Sequence, residues 1–154
     1  MLLLFLNLTM QNKDNYTTRF ETKSDLDRET KAVELFCSTY NLVYKKLGSN
    51  DIDFKIYKRD GSFLFYLEVK GRLRTLEYCY PLPLSIRKLH KMMNTRENGV
   101  VVWACTDGII FSRIEKLRGE LRIGGRKPRD GSFNDIEFMS YFDKNDNFKQ
   151  LRYE

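Results

Sequence analysis

Histidine and cysteine are scarce in this chain. Its 154 residues hold one histidine, His90, and three cysteines. A lone histidine argues against a His-rich zinc site and against a Ser-His-Asp triad. Cys37, Cys79 and Cys105 are odd in number, and their spacing matches no metal framework. They read as buried free thiols of a reducing cytosol. Long apolar runs are missing too. The segment MLLLFLNL at residues 1–8 is too short to span a bilayer. It lacks a basic leading region and runs directly into QNKDNYTT instead of a small-residue cleavage site, so it does not read as a signal peptide. It is either an edge strand or an extension ahead of an alternative start at Met10. No glycine-rich phosphate loop succeeds any candidate strand, which excludes the nucleotide-binding folds. With no repeat, low-complexity stretch or linker, residues 1–154 read as a single domain.

What is present suits a folded globule. The hydrophobic fraction is 42% and the aromatic fraction 14%, which argues against disorder. The net charge is +6 and the pI about 9.2. This balance favours an anionic partner: nucleic acid first, an anionic membrane surface as the rival.

Residues 25–47, DLDRETKAVELFCSTYNLVYKKL, have helical periodicity. Leu26, Val33, Phe36, Cys37, Tyr40, Tyr44 and Leu47 share one face, with Ser24 or Asp25 as N-cap and Gly48 as terminator. Residues 51–58 alternate as a strand, Asp60-Gly61 signals a hairpin turn, and FLFYLEVK at 63–70 returns. Pro81 and Pro83 mark a loop. Residues 85–95 predict a second helix, with Ile86, Leu89, Met92 and Met93 inward. GVVVWACT at 99–106 is apolar on both faces, as expected of a mid-sheet strand, and Asp107-Gly108 turns it into IIFSRI. From about residue 118 a further hairpin is expected: LRIGGR, the basic loop KPRDGSFN, then DIEFMSYF. A hairpin within a helix-flanked sheet implies a mixed α/β sandwich, not a doubly wound one.

The strand at 63–70 ends in YLEVKGR. Side chains alternate across a strand, so Phe63, Phe65, Leu67 and Val69 share one face and Leu64, Tyr66, Glu68 and Lys70 the other. On the partner strand, Ile52, Phe54 and Ile56 form the apolar face, while Asp51, Asp53, Lys55 and Tyr57 lie opposite. The hairpin therefore brings Asp53 near Glu68 and Lys70. Glu29 falls in the apolar stripe of the first helix, and Glu34 lies about a quarter-turn off it. A core-facing carboxylate is costly unless paired or metal-bound. Glu29, Asp53, Glu68 and Lys70 can thus converge into a set suited to phosphodiester hydrolysis. Carboxylates would hold Mg²⁺, and the lysine would orient water or stabilise charge. Asp51 reads as a strand-start polar residue.

Asp53, a hairpin, then Glu68-Val69-Lys70, preceded by an acid on a helix, resembles the PD-(D/E)XK nuclease superfamily. Asp25-Leu26-Asp27-Arg28-Glu29, Ile52-Asp53-Phe54, Glu68-Val69-Lys70-Gly71-Arg72, Gly125-Arg126-Lys127-Pro128-Arg129 and Asp135-Ile136-Glu137 resemble its small phage and bacterial endonucleases or Holliday-junction-resolvase-like members. The likeness covers about residues 20 to 145. It implies an α/β, restriction-endonuclease-like αβββαβ core: a central mixed sheet flanked by helices, with an extra C-terminal β-hairpin. Residues 1–19 would be an N-terminal extension, 24–114 the core and 115–154 the basic hairpin and tail. Asp53, Glu68 and the backbone carbonyl of Val69 would be metal ligands, Lys70 the catalytic lysine, and Glu29 the helix acid that positions metal or water. Helical phase favours Glu29 over Glu34. Mg²⁺ would be the cofactor, with Mn²⁺ as substitute. One departure is Ile52, where the pattern often has proline.

In that reading Arg72, Lys88, Lys91, Arg126, Lys127 and Arg129 contact DNA phosphates. Arg87 accompanies Lys88 and Lys91 on the polar face of the second helix, and Arg118 and Arg122 join the tail group. No major-groove recognition module is present, so structure-selective or weakly specific cleavage is expected. Tyr78 and Tyr80 either stack on bases or pack in their loop; His90 is a core or boundary histidine and Trp103 is core. The expected protein is a metal-dependent deoxyribonuclease of the cytoplasm, an endonuclease of phage or prophage recombination and repair, and a dimer if it cuts both strands. The alternatives are a non-catalytic DNA-binding or assembly protein with the same fold, and a protein-interaction module meeting an acidic partner.

Overall fold

The computed structural model describes residues 22–48, 52–94, 98–125 and 136–154. The apolar N-terminal segment, Asp51 and the basic loop with Arg126, Lys127 and Arg129 lie outside the described residues.

Helix α1 spans Lys23–Tyr40 and starts from a capping box. The Thr22 Oγ1 accepts from the Asp25 N–H at 3.2 Å, and the Asp25 carboxylate accepts from the Thr22 N–H at 3.1 Å. Thr22 is therefore the N-cap, in place of the expected Ser24 or Asp25. A hydroxyl with an acid three residues on satisfies two free N–H groups at once. The helix also ends earlier than its periodicity predicts. Asn41 adopts the left-handed conformation at φ 57° and donates its N–H to the Cys37 carbonyl. Asparagine tolerates that conformation, so the chain reverses there and not at Gly48. Tyr44 and Leu47 leave the helix as a result: β1 is Val43–Lys46. Ala32, Val33, Phe36 and Cys37 are buried, whereas Leu26 and Tyr40 are exposed.

Strands β2 (Phe54–Tyr57) and β3 (Phe63–Gly71) form the expected hairpin. Its turn places Gly61 at φ 89°, a conformation glycine adopts without steric cost. Strand β4 (Leu82–Ser85) includes Pro83, which had marked a loop. Among the described strands β4 pairs with β8 (Ile136–Phe142) alone, and an edge strand tolerates a residue with no N–H to donate. Ser85 caps α2 (Ile86–Met93), its hydroxyl accepting from the Lys88 N–H at 3.2 Å. Met92 is buried as expected; Met93, at 66% exposure, and His90 point outward instead. Strands β5 (Gly99–Ala104) and β6 (Gly108–Arg113) come next, then β7 (Glu120–Gly125), which pairs with β8, and β9 (Lys149–Arg152).

The large sheet has the order β1-β2-β3-β5-β6-β9 and the small one β4-β8-β7. Pairing of β3 with β5 is parallel; the other described pairings are antiparallel. The fold is thus α/β with a mixed sheet and two described helices, compatible with an α/β nuclease-like architecture. Helix α1 covers one face of the large sheet, packing Val33 and Phe36 among Phe54, Leu67, Val100, Val102 and Phe111. The small sheet and the loops beside it cover the other face, with Leu82, Leu84 and Phe142 against Val101, Trp103 and Ile110. All of β5 is buried, as its two apolar faces predicted. The Trp103 indole N–H donates to the Pro83 carbonyl at 2.7 Å and ties the sheets together. Cys37, Cys79 and Cys105 are free and buried, and burial pushes the Cys37 thiol up to about 11 and that of Cys105 to about 12. Thiols so hard to ionise are poor nucleophiles.

Strand β9 returns from the tail to complete the large sheet beside β6. Gly108 makes that approach possible, since a Cβ there would sit 2.2 Å from the Leu151 carbonyl oxygen and 3.0 Å from the Arg152 Cα. Asp107 reinforces it: its carboxylate accepts from the Leu76 N–H at 2.8 Å and from Arg152 at 3.1 Å. Gly108→Ala is expected to destabilise the protein by about 1–3 kcal/mol, because the obstacle is backbone and cannot rotate away. Urea unfolding of the variant against wild type checks this.

Candidate active site

Strand register assembles the site. Phe54 pairs with Leu67, and both face the α1 core. One step further along each strand, Asp53 meets Glu68. The Asp53 N–H donates to Glu68 Oε2 at 3.3 Å, and the Val69 N–H donates to Asp53 Oδ2 at 2.8 Å. Each acid thus accepts from a backbone N–H of the other strand or its end, which fixes both carboxylates. Glu68 is 4% exposed. Lys70 lies two residues on, on the Glu68 face, and is exposed.

Electrostatics set Asp53 apart. Burial, then the charges of Glu68 and Glu29, push its carboxyl from 3.8 up to about 7. The Val69 N–H and the Lys88 ammonium pull the other way without offsetting them. Such a group takes up either a proton or a cation.

Glu29 stands at the rim. Its side chain is 12% exposed and ion-paired with Lys46 of β1. Glu34, the other helix acid considered, accepts from the Tyr44 hydroxyl at 3.2 Å instead. Of the two, Glu29 is the one whose charge is felt at Asp53. Among the described residues, no three His, Cys, Asp or Glu side chains gather where they could hold one metal ion. Asp53 and Glu68 come together, while Glu29 is engaged by Lys46. The donor set still suits a hard cation. Two carboxylate groups, with a carbonyl such as that of Val69, are all-oxygen ligands, and Mg²⁺ normally keeps several waters in its shell.

Lys88 is the residue that periodicity misplaced. It reads as part of a solvent-facing basic group, yet its Nζ lies 2.5 Å from Glu68 Oε1. A signal was available: Lys88 is four residues before buried Met92, hence on the same helix face. Arg72 also has a local task, donating from Nε to the Cys79 carbonyl at 2.9 Å and from its terminal nitrogen to the Pro81 carbonyl at 3.3 Å. Lys91 is half-buried on α2. Arg118 donates to the Glu115 and Leu117 carbonyls, and Arg122 lies 4.3 Å from the centre of the Tyr141 ring. Tyr80 packs against Phe148, whereas Tyr78 is 69% exposed. A cavity of about 380 Å³ opens elsewhere, between Phe36, Phe65 and Phe111, and none of Glu29, Asp53, Glu68 or Lys70 lines it.

Residues 15–151 match the family model described as "Phage putative PDDEXK endonuclease". That span is most of the chain and includes both carboxylates and the lysine. The chain belongs to this family. Membership in a PDDEXK endonuclease family makes the protein a nuclease. Searches of curated proteins and of solved structures find no match. No described helix of this PDDEXK family member is long and apolar enough to cross a membrane.

The raised Asp53 carboxyl predicts how the metal-free protein responds to pH. The folded state holds this proton more tightly than the unfolded chain does. The stability it contributes is complete below about pH 4 and is lost as pH rises through about 7. Asp53→Asn keeps an acceptor for the Val69 N–H but cannot ionise. In EDTA it is expected to match wild type near pH 4 and to exceed it by a few kcal/mol at pH 8.5. Thermal melts across that range read the difference.

Proposed function

We propose that the protein is a Mg²⁺-dependent DNA endonuclease whose site is Asp53, Glu68 and Lys70, with Glu29 at its rim. The observation that carries this reading is the Asp53–Glu68 pair: a buried and a half-buried carboxylate hydrogen-bonded across adjacent strands, with a lysine next on the same face. Burying such a pair is destabilising for a fold that makes no use of it. The succession of α1, the β1–β3 meander, α2 and parallel β5 supports an αβββαβ core, with β4 inserted before α2.

A divalent cation at this pair would supply the positive charge that stabilises the transition state of phosphodiester hydrolysis. Asp53 and Glu68 would hold it, joined by the Val69 carbonyl. Lys70 would orient the attacking water and stabilise charge developing on the phosphate. Glu29, once released by Lys46, would hold that water. Lys91, Arg126, Lys127 and Arg129 would contact phosphates, giving affinity that falls with salt and reads little sequence. Mn²⁺ would substitute for Mg²⁺.

The test is cleavage of labelled duplex, single-stranded, flap and four-way-junction DNA with Mg²⁺, Mn²⁺ or EDTA. Cutting should require the metal. Asp53→Ala, Glu68→Ala and Lys70→Ala should each lower it by about 10²-fold or more with the fold intact by circular dichroism. Metal-independent cutting, or full activity in a folded variant, refutes the assignment. Salt-sensitive binding without cutting on any substrate would make the protein a non-catalytic DNA binder.

A further inference from the structure

The proposed metal pair already contains a cation. Lys88 reaches from the first turn of α2 to Glu68, and the pair is mostly withdrawn from water, with Lys88 30% and Glu68 5% exposed. A lysine stem is long and flexible, so its ammonium can leave while the helix stays in place. The Ser85 cap anchors the Lys88 backbone independently of its side chain. We propose that Lys88 is a resident counter-ion that a divalent cation must displace from Glu68, so that this lysine sets the metal affinity of the site. The inference rests on the metal-dependent reading of the Asp53–Glu68 pair.

The charge balance motivates the exchange. Asp53 and Glu68 together carry two negative charges when ionised, and Lys88 brings one positive charge to them. One ammonium against two carboxylates therefore leaves a deficit of positive charge. A dication on both carboxylates removes the deficit but needs the Glu68 oxygen that Lys88 occupies. Removing one partner of a buried ion pair leaves the other strongly in need of a charge. The displaced ammonium remains on α2, facing the carboxylates, where a phosphodiester oxygen would arrive. Lys88 is thus a positioning residue in the metal-free state and a phosphate contact once released.

Calorimetric titration of Mn²⁺ into the DNA-free protein tests this. Lys88→Met keeps the apolar stem and lacks the charge; Lys88→Gln serves if the first variant does not fold. The uncharged variant is expected to bind Mn²⁺ at least about tenfold more tightly than wild type, and Lys88→Arg to stay within about threefold of it. Unchanged affinity in the uncharged variant would overturn the exchange, since a merely structural lysine would leave the metal untouched. Weaker affinity would also overturn it, by making Lys88 a support of the metal. Binding in wild type with no gain in the variant would sink this inference alone. Absence of Mn²⁺ binding in wild type and variants together would also sink the proposed function.

Discussion

A strand cannot choose its two faces independently, and in β3 that constraint governs both the core and the site. Leu67 and Val69 must point at α1 to build the main core, so Glu68 and Lys70 must point the other way. Slipping the register by one residue would drive both charges into the aromatic cluster around Phe36 and Phe111. The pairing that makes the core is thus the pairing that makes the site. Asp53 is placed by the same rule, one residue beyond the Phe54–Leu67 pair. The backbone hydrogen bonds to both carboxylates then tie each acid to the neighbouring segment.

Much of this was legible in the residues. Period-two alternation with an Asp-Gly turn identified the β2–β3 hairpin, and apolarity on both faces identified β5 as central. The juxtaposition of Asp53 with Glu68 came from these alone. What escaped were short elements whose reason lies elsewhere in the fold. β1 continues a helical-looking pattern, because Tyr44 and Leu47 keep the spacing of the helix stripe; the left-handed turn at Asn41 decides. β4 contains a proline, and only its edge position makes it a strand. β9, KQLR, has one half-buried apolar side chain and exists because Gly108 lets it close on β6.

The charges were harder to read than the elements. A lysine on a polar helix face usually lies in water, and Lys88 was assigned there, but tertiary packing aims it at Glu68. Lys46 captures Glu29 across a helix–strand gap that spacing does not reveal. Arg72 looks like an extension of the Glu-x-Lys stretch, yet it holds the loop carbonyls of Cys79 and Pro81. Local pattern tells which side of an element a charge occupies. Which charge it meets depends on the packing of elements distant in sequence.

The parallel pairing of β3 with β5 has a kinetic consequence. Parallel neighbours cannot be joined by a tight turn, and here the crossover between Gly71 and Gly99 carries β4 and α2 with it. The β2–β3 hairpin is local and can form early, setting Asp53 against Glu68 at small entropic cost. The crossover, which includes Lys88 on α2, closes only when β5 docks. A nascent hairpin would pass through a state in which two carboxylates face each other unaccompanied, open to any cation in solution.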